Sequence, residues 1–424
     1  MNRVRWLWRE LVRPRGPVRH RFYRGGRRSK AGVALLMAIT AIMLLTILVT
    51  EIAHGAVVRV QLAAQHRDDV KAEGLAYSGI AFHRLVLIAS KAIGRNPMFE
   101  SMGAMLGGGN AQELWQALPF VDTRMMRFLF VTNGSVDEEE LVDTKQEGLT
   151  QEQIDESREQ TTTLKRNFLD FDGDFRSEVQ DEERRINVGN LTAANLGDLL
   201  QLPASQQILA MLSTEDNQDW LYEHNMNKEE LIANLADWTD PDDMRLYQGG
   251  AEDSLYSNLD NPYHPKNAPF DTRDEIRLVD GWHNDGLWER VGKYLTIYGS
   301  GKVNVNTAME PVIKGLLMAY YDGVATETTV QDTVDDIIRL RGAPLEEGGL
   351  YFVSGEHFFN SITKGEYQIH PLPLKPEVKQ AVTSSSNVFR VTSVGEVGNA
   401  RVEIHAIFDF STDTTGRVVF WKIR

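Results

Sequence analysis

From Ala31 to Thr50 the chain carries no charged side chain. A helix rises about 1.5 Å per residue, so roughly 20 apolar residues cross the hydrocarbon core of a bilayer, about 30 Å. A lone span must satisfy its own backbone there, and only a helix does so. The pattern changes after Glu51. Ala72, Leu75, Ala76, Gly79, Ile80, His83 and Leu87 recur at helical spacing and form one apolar stripe, while Arg67, Asp68, Asp69, Lys71 and Glu73 cover other faces. The spacing predicts a helix continuing into water, with this stripe packed on the protein's own sheet. His83 reads as a satisfied core residue rather than a ligand. Gly55, Gly74 and Gly79 each weaken the helix by roughly 1 kcal/mol relative to Ala, and Asn96-Pro97 is its expected stop.

Further on, Arg127–Thr132 reads as a strand, and Phe168–Phe171 with Phe175–Val179 reads as a hairpin around Asp172-Gly173. Asn133–Arg166 is polar, acidic and poor in aromatics, the pattern of a long solvated loop or a marginal helix. Helical periodicity then takes over, at Ala193–Leu200, Ser205–Leu212, Asn227–Trp238, Pro311–Tyr321 and Val330–Leu340. After Ser386 the period becomes two. Asn387–Val394, Ala400–Asp409 and Arg417–Ile423 read as antiparallel strands joined by turns at Gly395–Asn399 and Thr412–Gly416. Strands, a block of helices and strands again indicate an α-helical domain inserted into an α+β domain.

Charge sets the orientation. Residues 1–32 hold 11 basic side chains and one acidic one, Glu10; the rest of the chain has a net charge of -25. Lys and Arg beside a span mark the cytoplasmic side, so the acidic bulk lies across the membrane. Acidic bulk is a poor nonspecific binder of nucleic acid. There is no cysteine, which excludes a disulfide framework, thiolate catalysis and the common structural zinc sites.

The candidate chemistry is carboxylate chemistry. Asp240, Asp242, Asp243, Glu252 and Asp253 lie in Pro- and Gly-containing loops with no His or Cys in the motif. Carboxylates held together repel unless a cation joins them, and hard oxygen ligands favour Ca²⁺; solvated acidic loops are the alternative. Asp237, just before Trp238, could instead cap or hydrogen-bond locally. The run Asp170–Asp174 lacks the glycine and glutamate positions of an EF-hand and reads as a plain turn. Gly103–Asn110 lacks the Lys-Ser/Thr ending of a phosphate loop. No Ser/His/Asp set, His-Glu-x-x-His or paired catalytic carboxylates stand out, and no enzyme is expected.

Gly32, just after Arg27, Arg28 and Lys30 and directly before the apolar run, resembles the junction of a prepilin-type signal. Such a signal is cut after the Gly by a dedicated peptidase, here between Gly32 and Val33. The fifth residue from Val33 is Met37 rather than the usual pilin Glu. Behind this leader come Ala236–Asp243, Gly249–Asp253 with Tyr256, Asn261–Phe270, Asp274–Gly281 and Gly301–Ala308, with an echo at Arg185–Asn190. In that order these blocks resemble the K-type minor pseudopilins of type II secretion, from Gly32 to the C-terminus.

The resemblance implies a basic leader (1–32), a transmembrane and pilin-like helix (33–95), and the first part of a pilin-like α/β domain (96–185, with the acidic loop 133–166). An inserted α-helical domain (186–381) and the closing strands (386–424) complete it. It further implies a non-enzymatic subunit at the tip of the pseudopilus, anchored in the bacterial inner membrane with its bulk in the periplasm. Such a subunit initiates assembly, supports export across the outer membrane and carries calcium in the region of the carboxylates. Its implied partners are the I-type and J-type minor pseudopilins, the major pseudopilin, the prepilin peptidase and the inner-membrane assembly platform. Two other readings remain. Val303–Ala308 also begins helix-hairpin-helix DNA-binding modules, although the expected Gly-x-Gly hairpin is missing here; its structural reading is that Asn304, Asn306 and Thr307 cap a helix and tie down a loop. A minor pilin of a type IV pilus is the other.

Overall fold

The structure is a computed structural model describing residues 30–94, 114–126, 172–343 and 348–424. Outside these lie residues 1–29 of the leader, the Asn96-Pro97 stop, the Gly103–Asn110 loop, the strand Arg127–Thr132, the acidic loop 133–166 and the first hairpin strand, Phe168–Phe171. The chain divides into two units, residues 1–64 and 65–424.

Helix α1 runs Lys30–Gly94. In the first unit its best 18-residue window has a mean hydropathy of 2.7 and no buried residue, which is compatible with a single-pass membrane anchor. Thr40 and Thr46 return their hydroxyl hydrogens to the carbonyls of Met37 and Ile42, at 3.0 and 2.7 Å, and Thr50 does the same to Thr46. Their polarity is thus satisfied within the helix.

In the second unit the predicted stripe of α1 is buried: Ala72, Leu75, Ala76, Ile80, His83 and Leu87 are all at most 9% exposed. It packs with a five-stranded antiparallel sheet in the order β1-β2-β7-β8-β9. The strands are β1 (Phe120–Asp122), β2 (Asp174–Asp181), β7 (Val388–Val397), β8 (Ala400–Asp409) and β9 (Arg417–Ile423). Burial of each large apolar residue stabilises this contact by roughly 1.5–3 kcal/mol. The fit is close at two glycines. A Cβ on Gly79 would lie 2.3 Å from Ser393 Oγ, and one on Gly395 would lie 2.0 Å from the Ala72 carbonyl oxygen. His83 is fully buried as expected, with Nδ1 2.7 Å from Ser177 Oγ and Nε2 3.3 Å from the Leu118 carbonyl.

Strands β2 and β7 are neighbours, paired from Asp174↔Glu396 to Asp181↔Phe389, yet more than two hundred residues separate their ends in sequence. That intervening chain builds its own hydrophobic cluster, drawn entirely from residues 186–382. It contains two small parallel pairs, β3 (Ile186–Asn187) with β4 (Leu295–Thr296) and β5 (Val303–Asn304) with β6 (Val382–Thr383). Its longer helices are α2 (Pro203–Leu212), α3 (Glu215–Glu223), α4 (Lys228–Asp237), α5 (Glu310–Ala319), α6 (Glu327–Gly342) and α7 (Gly355–Lys364). The protein is α+β: a long N-terminal helix whose later turns pack on an antiparallel sheet, with a large helical segment between two adjacent strands.

The buried carboxylates of β2 and the turn after it join these parts. Asp181 Oδ2 accepts from Asn304 Nδ2 at 3.0 Å and from the hydroxyls of Ser386 and Thr307, both at 2.5 Å. Asn306 donates to the carbonyls of Phe352 and Ser384 and accepts from Phe352 N–H. Asn304, Asn306 and Thr307 therefore tie down a loop, as expected. They do not cap the following helix: the N-cap of α5 is Met309, with no side-chain hydrogen bond, and Pro311 sits in its first turn. Proline there needs no N–H partner, so a polar cap is less required.

Candidate metal centre

The site begins with how α4 starts and stops. Asn227 accepts hydrogen bonds from the N–H groups of Glu229 and Glu230, at 2.8 and 3.0 Å. The apolar face of the helix, including Leu231, Ile232 and Leu235, enters the core. The last helical residue is Asp237, and Thr239 and Asp240 still donate to the Ala236 carbonyl, at 2.9 and 3.0 Å. The chain then doubles back. Met244 bridges Ala251, and Arg245 N–H meets the Gly250 carbonyl at 3.0 Å. Gln248, Gly249 and Gly250 turn the corner with φ of 59°, 71° and 97°. Two glycines make this left-handed run affordable. The return leg ends in a 3₁₀ turn that opens on Glu252.

This fold-back brings Asp237, Asp240 and Glu252 together, with one oxygen of each within 4.8 Å of the other two. Glu252 is 1% exposed and Asp237 3%. Both carboxylate oxygens of Glu252, and Oδ1 of Asp240, are buried without a hydrogen-bond partner among the described residues. Asp237 accepts from Leu246 N–H at 3.1 Å. Burial, followed by the charge of the neighbouring aspartates, pushes the Glu252 carboxyl up to about 8. Burial, opposed by the Leu246 N–H, lifts Asp237 to about 7. Burial and then Asp242 lift Asp240 to about 6. Without a cation, these groups hold protons at a pH where exposed carboxylates have lost them.

The residues fit a hard divalent ion. The donors are carboxylate oxygens, and the buried orphans on Glu252 are the groups that a cation would satisfy. Of the five residues expected to ligate, the structure brings Asp240 and Glu252 together. Asp242 Oδ1 accepts from Met244 N–H at 2.8 Å, and Asp243 Oδ1 from Asn267 Nδ2 at 2.9 Å. Asp253 Oδ1 lies 2.5 Å from His264 Nδ1. Asp237, expected to bond locally, does so and also faces the cluster. The available signal was spacing: Asp237 and Asp240 are three apart at a helix end, which puts them on one side.

A long apolar N-terminal helix, an antiparallel sheet holding its later turns and an acid-lined helical segment between two sheet strands define an α+β protein whose first helix is compatible with a single-pass membrane anchor. Residues 184–300 match a family model described as Type II secretion system (T2SS), protein K. A protein of Aeromonas hydrophila, Type II secretion system protein K, is 26% identical over 249 residues, covering 56% of this chain and 67% of that protein. One of the same description from Pectobacterium carotovorum subsp. carotovorum is 27% identical over 178 residues, or 41% of this chain and 52% of the relative. Over these stretches the chain is similar to type II secretion system protein K. A solved chain from the GspK-GspI-GspJ complex of the enterotoxigenic Escherichia coli type 2 secretion system aligns over 60% of this chain and 80% of its own. Its TM-score is 0.39 at 16% identity.

Proposed function

We propose that this protein is a non-enzymatic minor pseudopilin that helps start the type II secretion pseudopilus at its tip and so supports export across the outer membrane. The observation that carries the reading is one chain holding both an N-terminal apolar helix and, at residues 184–300, the sequence matched by the protein K family. The basic leader and acidic remainder support a cytoplasmic N-terminus and a periplasmic bulk, anchored in the inner membrane. In this reading the prepilin peptidase cuts between Gly32 and Val33, and the helical segment 186–381 is the inserted domain. The I-type and J-type minor pseudopilins are its direct partners, with the major pseudopilin and the inner-membrane platform in the wider assembly.

Calcium held by Asp237, Asp240 and Glu252 fits this role. When bound, the ion supplies positive charge to buried carboxylates and fastens the end of α4 to the return leg of the loop. The residues do the positioning: Leu246 N–H orients Asp237, and the Asp243 carbonyl accepts from Glu252 N–H at 3.2 Å. DNA binding is disfavoured because Asn304, Asn306 and Thr307 are spent on internal hydrogen bonds.

The test is secretion in the native host. A strain lacking this chain should retain type II substrates in the periplasm, and the intact gene should restore their release. Unchanged secretion in the deletion strain would contradict the proposal.

A further inference from the structure

Strand β9 ends the sheet order among the described residues, so one of its edges faces away from β8. Its two faces differ in chemistry. Val418, Trp421 and Ile423 lie opposite Phe408, Ala406 and Ile404, the β8 residues that pack with α1. They are nevertheless 44%, 36% and 44% exposed. Tyr77 of α1, 43% exposed, stacks on Trp421 with ring centroids 5.3 Å apart. Together they form an apolar ledge beside a strand edge. The other face of β9 carries Arg417, Phe420 and Lys422, opposite Asp409, Ile407 and His405, and Arg424 follows.

The charge of this segment runs against the rest of the chain. Arg417–Arg424 contains three basic residues and no acidic one, in a protein with 60 acidic and 45 basic side chains. Arg417 is paired with Asp409 at 3.3 Å, whereas Lys422 reaches Asp274 only at 3.9 Å and is 42% exposed. Arg424 is exposed, and its backbone continues the ladder with Glu403.

An open edge offers backbone N–H and C=O groups to an added strand, and side-chain pairs across the new ladder decide which strand it accepts. We propose that β9 is a docking edge for an extended strand of a partner protein whose successive residues alternate between apolar and acidic. Apolar residues of that strand would rest on the ledge of Val418, Trp421, Ile423 and Tyr77. Its carboxylates would meet Lys422 and Arg424 on the opposite face. A second copy of this chain is the wrong occupant, because two β9 edges would set their basic residues side by side. The same lysine repels strands that lack the acidic complement, which gives the edge selectivity.

The experiment uses the full chain in detergent and three labelled eight-residue peptides, read by fluorescence anisotropy. One alternates Val and Glu, one alternates Val and Lys, and one is the Val/Glu peptide with alternate backbone nitrogens methylated. The Val/Glu peptide should bind saturably and at least tenfold tighter than either other. Lys422→Glu with Arg424→Glu should reverse the preference between the Glu and Lys peptides, and circular dichroism should show the fold retained. Trp421→Ala should weaken the Val/Glu peptide. Absence of saturable binding, equal binding of the Glu and Lys peptides, or undiminished binding of the methylated peptide would overturn the proposal. So would concentration-dependent self-association abolished by the two charge reversals. None of these results bears on the secretion phenotype, so this proposal and the proposed function fail separately.

Discussion

Asn304 Nδ2 lies 3.0 Å from Asp181 Oδ2, and this bond joins the end of β2 to the Val303–Thr307 stretch. Ser386, just before β7, donates to the same oxygen. One carboxylate at the end of β2 thus holds both the middle and the far end of the segment that leads to β7.

Asp181 is fully buried among neutral donors. Burial, opposed by the Ser386 and Thr307 hydroxyls, raises its carboxyl to about 6. A raised carboxylate adds stability below its unfolded value, near 4, and loses it as pH rises through about 6. Relative to Asp181→Asn, the wild-type protein should lose on the order of 3 kcal/mol of unfolding free energy between pH 4 and pH 7. Urea unfolding of both proteins across that range measures this, and parallel curves would contradict it.

The glycines of α1 and the sheet should respond in opposite directions. Gly395→Ala places a methyl group 2.0 Å from the Ala72 carbonyl oxygen and should destabilise by roughly 1–3 kcal/mol or more. Gly74 has open space around it in the same helix, so Gly74→Ala should stabilise by roughly 0.5–1 kcal/mol. Thermal unfolding of the two variants decides the sign of each.

Much of this architecture was legible in the sequence. The stripe from Ala72 to Leu87 follows from helical spacing, and Ala400–Asp409 and Arg417–Ile423 are strands at the expected residues. Alternation predicts a strand ending at Val394, whereas β7 extends to Val397, because Gly395 is needed in the strand where Ala72 comes close. Helix α3 was missed, since Leu221 alone among its residues is buried and periodicity needs several. In the metal centre, the acidic loop is visible in the sequence but its inward face is not. Which carboxylates converge depends on the fold-back at Gln248–Gly250, and alternation or spacing does not encode that turn's direction.

Calcium should raise the melting temperature, and magnesium should do so poorly because it demands octahedral geometry and keeps its water. A cation bound only to the folded state adds about 2.7 kcal/mol at 100 times its dissociation constant. Asp237→Asn and Glu252→Gln should each remove most of the calcium effect, while Asp253→Asn, whose side chain pairs with His264, should leave it. The effect should shrink on acidification from pH 8 to pH 5, as protons compete for Glu252 and Asp237. Thermal unfolding in calcium, magnesium and EDTA is the check; identical melting temperatures in all three would remove the metal centre.

Processing should leave a chain that starts at Val33. Gly32 has nothing within 4 Å of a Cβ, so Gly32→Asp should fold normally and remain uncut. Intact-mass measurement of membrane-extracted protein distinguishes the two lengths. An intact Met1 start in cells with an active prepilin peptidase would contradict the cleavage.

The most direct measurement is assembly with the I-type and J-type minor pseudopilins. The three full-length proteins, co-expressed and extracted in detergent, should elute together on size exclusion with one copy of each by native mass spectrometry. Separate elution of this chain at tens of micromolar, while the other two proteins remain associated, would contradict its assignment as their partner.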